Sequence, residues 1–339
     1  MVTNEKILLF LQKRRSATGQ EIASYLGISR QALNKQLKRL IEKGTVVKVG
    51  RTKGSFYELH GESRRRRVFT RRYAIRPGLA EDEVFKETEL HLSLRKTLRK
   101  NVYDIANYVF TEIFNNAIDH SRSHACMISV ALSEYKYEFI IRDFGIGIFN
   151  SIFSKLKLAN EYEAIGELIK GKTTTMREKH TGEGVFFSSK AGDYVAFRSH
   201  KTALIFNNAE QDVIVEEKKF IRGTEVQFVI GLNTSKNLED IYKEYAPREY
   251  DYSFEKTRVL VKLFQEEYVS RSEAKRLLYG LDKFKEIVLD FKGVKSLGQG
   301  YADEIFRVFH NSHPDIIIKT VNLSPAIAVL IKSAVDNKK

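Results

Sequence analysis

Cysteine is nearly absent from this chain: Cys126 is the single one in 339 residues, and there is no tryptophan. One thiol excludes an intramolecular disulfide and a multi-cysteine metal cluster, and it fits a reducing, cytoplasmic compartment. Long apolar runs are missing as well. No stretch approaches the roughly 20 apolar residues that span a bilayer, so no membrane partner is expected. The first segment, "MVTNEKILLFLQKRR", places its short apolar run after an acidic residue and before basic ones, the reverse of a secretory signal. What is present, 42% hydrophobic and 29% charged residues, is the composition of a soluble globular protein. The length suits two or three domains.

Acidic residues are scarce in one place only. Residues 1–75 hold 18 Lys and Arg against 5 Asp and Glu, so almost the whole net charge of +14 sits on the head and the body is near neutral. That asymmetry points to a polyanion partner, nucleic acid being the most plausible, although a solvated basic surface also fits charge alone.

Within the head, Ile7, Leu8, Phe10 and Leu11 recur at helical spacing. In "SATGQEIASYLGISRQALNKQLKRLIEKG", Thr18 caps a short helix, Gly27 breaks it, Ser29 caps the next and Gly44 closes that one. Ala23, Leu26, Ile28, Leu33, Leu37 and Leu40 are spaced to pack two helices across a tight turn, the helix-turn-helix pattern. "TVVKVGRTKGSFYEL" then alternates around "GRTKG" as a two-stranded wing. The unit resembles the winged helix-turn-helix domains of bacterial regulators. Its outward recognition-helix residues are Arg30, Gln31, Asn34, Lys35 and Lys38, types that bond base edges and phosphates, with Arg51 and Lys53 at the wing tip. Double-stranded DNA is the expected partner. The run "RRRRVFTRRY" at 64–73 fits a phosphate-gripping arm and a solvated linker equally well.

In the middle of the chain, "VFTEIFNNAIDHSRS" at 109–123 reads as an amphipathic helix with Ile105, Val109, Ile113 and Ala117 as its apolar stripe. Glu112 and Asn116 stand one turn apart against that stripe. Either they satisfy each other and nearby backbone, or they face a polar ligand. "CMISVAL" and "YEFIIRDFGIGI" read as strands, the second leading into Asp143-Phe-Gly145-Ile-Gly147, a carboxylate beside backbone bare enough for a flat ligand. "KHTGEGVFFSSKAGD" puts Gly182 and Gly184 before a helix N-terminus, a common place to hold phosphate. "IRGTEVQFVI" is a strand with Gly223-Thr224 near its start.

Four such pieces in this order resemble the ATP-binding domain of the GHKL family, which includes DNA gyrase and sensor histidine kinases. The resemblance covers residues 85 to 232 and is closest to the histidine-kinase and anti-sigma-factor-kinase branch, whose Glu-x-x-x-Asn-Ala-x-x-His is here Glu112, Asn116, Ala117 and His120. It implies ATP and Mg²⁺ as cofactors, with Asn116 as the metal ligand through its side-chain oxygen. It implies that Asp143 accepts from the adenine amino group, that Gly145 and Gly147 let adenine lie against backbone, and that Thr224 supports the Asp143 contact. Gly182 and Gly184 would offer N–H groups to phosphate within a lid, "IKGKTTTMREKHTGEG", in which Lys170, Lys172 and His180 are further phosphate candidates. Glu112 is the catalytic candidate. The family's glutamate here activates water or a substrate serine, so hydrolysis or serine phosphorylation is favoured over phosphohistidine chemistry. His91 lacks an acceptor-box context and reads as a surface histidine.

Beyond residue 253, strands and helices alternate, as in a small, partly parallel α/β domain. "IVLDFKGVKSLGQGYADEIF" resembles the STAS fold of anti-anti-sigma factors. The place of that family's phosphorylated serine falls at Gly300, with Ser296 about four residues early. A docking or sensing role is therefore the expectation.

The expected fold class is α/β, in full an α+β multi-domain chain. It divides into a winged helix-turn-helix at 1–60, a basic linker at 61–82, a Bergerat-type ATP-binding α/β sandwich at 83–235, a linker at 236–252 and a STAS-like domain at 253–339. The expected function is an ATP-dependent regulator in which Mg-ATP controls DNA or partner binding. The alternatives are a serine protein kinase acting on a separate regulatory partner and a nucleotide sensor without turnover. A homodimer is the expected assembly.

Overall fold

The computed structural model describes residues 3–14, 16–49, 55–59, 67–158, 161–172, 183–250, 253–263 and 267–336. Helices and strands are mixed in several sheets, as an α/β multi-domain chain requires.

The head consists of α1 (Thr3–Arg14), β1 (Ser16–Thr18), α2 (Gly19–Leu26), α3 (Arg30–Glu42), β2 (Val46–Val49) and β3 (Phe56–Leu59). Thr18 and Glu21 form a reciprocal capping box at the start of α2. Gly27, at φ +64°, ends that helix with the left-handed turn that glycine adopts without strain, and Ser29 caps α3. Ile7, Leu11, Ile22, Leu33, Leu37 and Leu40 close the core. The wing has a third strand beyond the two expected, because β1 pairs antiparallel with β3.

The centre is built from β4 (Arg67–Ala74), α4 (Glu81–Leu92), α5 (Leu94–Thr97), α6 (Lys100–Asp119), β5 (Ala125–Leu132), β6 (Lys136–Asp143), α7 (Ile148–Leu156), α8 (Glu161–Lys170), α9 (Gly184–Ala191), β7 (Tyr194–Asn207), β8 (Asp212–Gly231) and α10 (Leu238–Tyr245). Its five strands form an antiparallel sheet in the order β4-β5-β6-β8-β7. Alternation sends Val226, Phe228 and Ile230 of β8 to the face that carries α6, where Val109, Phe110, Ile113 and Phe114 join them. Each such fully buried side chain contributes roughly 1.5–3 kcal/mol.

Val229, between them, points to the opposite face with Tyr194, Ala196 and Ile205, and Phe56 of the wing packs there. The winged helix therefore covers part of the back of the central sheet. A buried ion triple reinforces the contact: Lys136 Nζ lies 3.0 Å from Glu58 of β3 and 3.5 Å from Glu138.

Two expected linkers are corrected. Residues 67–74 form the edge strand β4, paired with β5 along its whole length. Phe69 and Tyr73 face the helix layer, while the intervening arginines hide the period-2 pattern. Arg71 reaches Glu87 of α4, which is how that charge is accommodated. Residues 238–245 form α10, capped by Asn237, with Ile241, Tyr242 and Tyr245 packed inward.

The last unit contains β9 (Lys256–Leu260), β10 (Glu267–Tyr268), α11 (Arg271–Leu278), β11 (Glu286–Asp290), β12 (Ser296–Leu297), α12 (Gln299–Asp303), a π-helical segment (Glu304–Phe309), α13 (His310–Ser312), β13 (Ile317–Val321) and α14 (Pro325–Asp336). The main sheet is parallel, in the order β13-β11-β9. Its core also takes in Phe186 and Phe187 from α9 and Tyr245 from α10.

Candidate functional site

Helix α6 positions the polar pair. Ile105, Val109, Ile113 and Ala117 are buried along one stripe, and Glu112 and Asn116 lie half-buried beside it. The C-terminal end of α6 is tied to the turn after β6. Ser121 accepts from Ile146 N–H through its carbonyl at 2.8 Å, and Ser123 Oγ accepts from Phe144 N–H at 3.1 Å. A side chain at Gly145 would run into the Ser121 carbonyl, and one at Gly147 into Ser199 Oγ. Both glycines thus have a steric reason inside the protein, beyond the bare backbone that the sequence suggested.

Asp143 is 5% exposed at the end of β6. Its Oδ1 accepts from Gly145 N–H at 2.9 Å and from Thr224 N–H at 3.2 Å, while Thr224 Oγ1 accepts from Ile148 N–H at 2.9 Å. Burial raises the Asp143 carboxyl above its ordinary range, against the opposing pull of the Gly145 and Thr224 bonds. Beside it in register, Cys126 is buried and its thiol is pushed up to about 12, by burial first and the Asp143 charge second.

Gly184 opens α9 directly against Glu112: a Cβ there would overlap Glu112 Oε2. The first turn of a helix offers N–H groups that the helix itself does not use. Asp143, Thr224, Asn116, Glu112 and Gly184 are thereby linked through one continuous set of packed elements. Among the described residues no group of three or more His, Cys, Asp or Glu stands ready to hold a metal ion. Asn116 offers a side-chain oxygen, the donor type that a hard cation takes.

Lys170 and Lys172, the two cations expected near phosphate, are engaged by carboxylate and carbonyl groups. Lys172 Nζ donates to Glu255 at 3.0 Å and to the Lys283 carbonyl at 2.9 Å, both in the C-terminal unit. Lys170 is buried, donating to Glu167 at 2.8 Å and to the Tyr279 carbonyl at 2.6 Å; burial lowers its pKa even with Glu167 beside it. Acceptors from across the domain contact claim both side chains. Gly182 and His180 lie outside the described residues, as do Arg51 and Lys53.

Sequence reasoning missed Ser199 and His200 of β7, which abut Gly147. His200 Nδ1 pairs with Glu161 at 3.1 Å and its ring stacks on Phe220. A bulge between β7 and β8 at these residues obscures their alternation.

On α3, Leu33, Leu37 and Leu40 face inward, and Arg30, Gln31, Asn34, Lys35 and Lys38 are all exposed along the outer side. In the last unit, Ser296 is exposed in β12 and Gly300 lies in α12. A separate cleft of about 520 Å³ between the central and C-terminal units is lined by Glu167, Tyr279, Lys283, Glu304 and His313 among others. None of the residues expected to hold nucleotide lines it.

Residues 3–58 match a family described as an HTH domain, and residues 273–328 match a STAS-like domain of unknown function (DUF4325). No curated protein matches the chain. The chain carries a helix-turn-helix head and a STAS-like tail. Together they suggest a regulatory DNA-binding protein. Among the described residues, no helix is long and apolar enough to cross a membrane.

Proposed function

We propose that the central unit is a GHKL-type, Bergerat-fold domain that binds Mg-ATP, and that its nucleotide state controls DNA or partner binding by the winged helix. The observation that carries this is the Asp143 carboxylate. It is buried, oriented by the Gly145 and Thr224 N–H groups, and pinned through Ser121 and Ser123 to the end of the helix that bears Asn116 and Glu112. A buried carboxylate held by backbone donors is suited to accept one further hydrogen bond from an exocyclic amine, which is the chemistry of adenine selection.

In this reading Asp143 and Thr224 hold the base, Asn116 holds the metal, and the N-terminal turn of α9 faces the phosphates. Bound Mg²⁺ would neutralise charge on the triphosphate and orient it. Glu112 accepts the proton of the attacking hydroxyl, from water or from a serine on a partner. Gly300 at the usual serine place argues against the chain's own STAS-like domain as that acceptor. The winged helix lies across the back of the same sheet, with Glu58 paired to Lys136 at the start of β6, the strand that ends in Asp143. A ligand shifts such a coupled pair only by its differential affinity for two states.

Calorimetry with Mg-ATP on the full chain is the primary test. Wild type should bind, and Asn116→Ala and Asp143→Asn should not; equal binding by all three would overturn the nucleotide reading. Labelled-phosphate assays on wild type and Glu112→Ala separate the chemistries. Free phosphate marks hydrolysis, a labelled protein band marks serine transfer, and neither marks a sensor.

A further inference from the structure

We infer that Phe254 of the C-terminal unit is a positioning residue for the candidate nucleotide site, holding α9 so that Gly184 stays against Glu112. This rests on the nucleotide reading above.

The basis is where α9 buries its aromatic side chains. Phe186 and Phe187 follow Gly184 by two and three residues, and both are buried in the core of the C-terminal unit. Phe254, 2% exposed, packs on both: its ring centroid is 4.5 Å from Phe186 and 5.1 Å from Phe187. Behind it stands Phe284, at 5.3 Å. The same ring touches the chain leaving α8. Gly171, at φ +85°, has no room for a side chain, since a Cβ would lie 2.7 Å from Phe254 and 2.9 Å from Phe186. One side chain of the C-terminal unit thus contacts the backbone that ends α8 and the first turn of α9 at once.

Neighbouring bonds hold the same junction. Thr257 Oγ1 donates to the Lys170 carbonyl at 2.6 Å, and Lys170 and Lys172 reach back to Tyr279, Glu255 and Lys283. A second route returns to the polar pair. Phe187 packs on Tyr242 at 4.4 Å, and Tyr242 packs edge-on against Tyr108 at 6.0 Å, one helical turn before Glu112 on α6. Glu112, Gly184, Phe187, Tyr242 and Tyr108 therefore close a ring of contacts, with Phe254 wedged against one side. Close-packed interiors transmit displacement because they have few voids to absorb it. A ring shift at Phe254 moves Phe186 and Phe187, and a helix this short carries Gly184 with them. The coupling is reciprocal: a ligand bound between α6 and α9 must also change the C-terminal unit.

The experiment uses the full chain. Phe254→Leu keeps bulk and loses the ring; Ile331→Val, in the C-terminal core on α14, is the control for a general loss of packing. Mg-ATP affinity is measured for wild type and both variants, and amide exchange is followed at residues 254–260 with and without Mg-ATP. Phe254→Leu should weaken Mg-ATP binding by about fivefold or more, and Ile331→Val should leave it within about twofold. Mg-ATP should slow exchange at 254–260 in wild type but not in Asn116→Ala, a readout that a merely structural phenylalanine would not move. If wild type binds Mg-ATP while exchange at 254–260 is unchanged, or if Phe254→Leu binds like wild type, the inference falls and the nucleotide reading stands. If wild type binds no Mg-ATP, both fall together.

Discussion

The carboxylate of Glu112 occupies the space that a side chain at Gly184 would need. Two segments more than 70 residues apart in the chain meet there, one bringing an acid and the other the N-terminal turn of a helix.

That contact makes Gly184→Ala informative. Its added methyl meets the far end of a flexible side chain, so Glu112 swings aside and the fold survives. Alanine also favours a helix over glycine, by less at this first helical position than the roughly 1 kcal/mol of a helix interior. Stability by thermal unfolding should change by no more than about 1 kcal/mol, while nucleotide turnover or binding falls sharply. In a Glu112→Ala background the same substitution should be stabilising.

Asp143→Asn separates folding from binding. The folded carboxyl has its pKa raised above the unfolded value by burial, so the folded chain holds that proton more tightly. Its contribution to stability is therefore greatest at low pH and falls as pH rises from about 4 through the folded value. Asparagine keeps an oxygen for the Gly145 and Thr224 N–H groups and carries no charge. Near neutral pH the variant should unfold at the same or a higher denaturant concentration, by up to about 1 kcal/mol, and its stability should lose that slope with pH. Binding of Mg-ATP should vanish. A clear loss of stability at pH 7 would refute burial as the dominant influence on this group.

Lys136→Met tests the contact between winged helix and sheet. The substitution leaves Glu58 and Glu138 buried without their shared cation, which costs about 3 kcal/mol or more. Urea unfolding should show that loss, and adding Glu58→Gln with Glu138→Gln should recover most of it. No loss in the single variant would mean that water already solvates the pair.

On the head, salt dependence separates phosphate contacts from base contacts. Lys35→Ala and Lys38→Ala should each lower the slope of log affinity for DNA against log salt by about 0.9. Asn34→Ala should instead reduce discrimination between DNA sequences, by about 1–3 kcal/mol at one position. Unchanged slopes would make the two lysines part of a merely solvated face.

Much of the local structure was legible in the residues. The caps Thr18 and Ser29, the break at Gly27 and the buried stripe of α6 follow from hydrogen-bonding groups and periodicity a few residues apart. Strand β4 was not legible, because Arg67, Arg71 and Arg72 break the apolar signal that Phe69 and Tyr73 alone cannot carry. Strand β7, with Ser199 and His200, is not legible either, because a bulge interrupts its alternation. Lys170 and Lys172 read as phosphate ligands from their glycine-rich, polar setting. Their acceptors, Tyr279, Glu255 and the Lys283 carbonyl, lie over 80 residues away, and no local pattern announces them.

By itself, the sequence determined the helix-turn-helix head, the charge concentrated on it, the polar pair on α6 and the order of the candidate nucleotide motifs. The caps, the polar pair and each single motif depend on side chains within a few turns or one strand of each other, and charge and motif order are read directly along the chain. Only the tertiary structure decided that Glu112 meets Gly184, that the wing lies on the back of the central sheet, and that α9 buries Phe186 and Phe187 in the C-terminal core. Those contacts join segments distant along the chain, and they are set by which apolar faces remain to be covered once the local elements have formed.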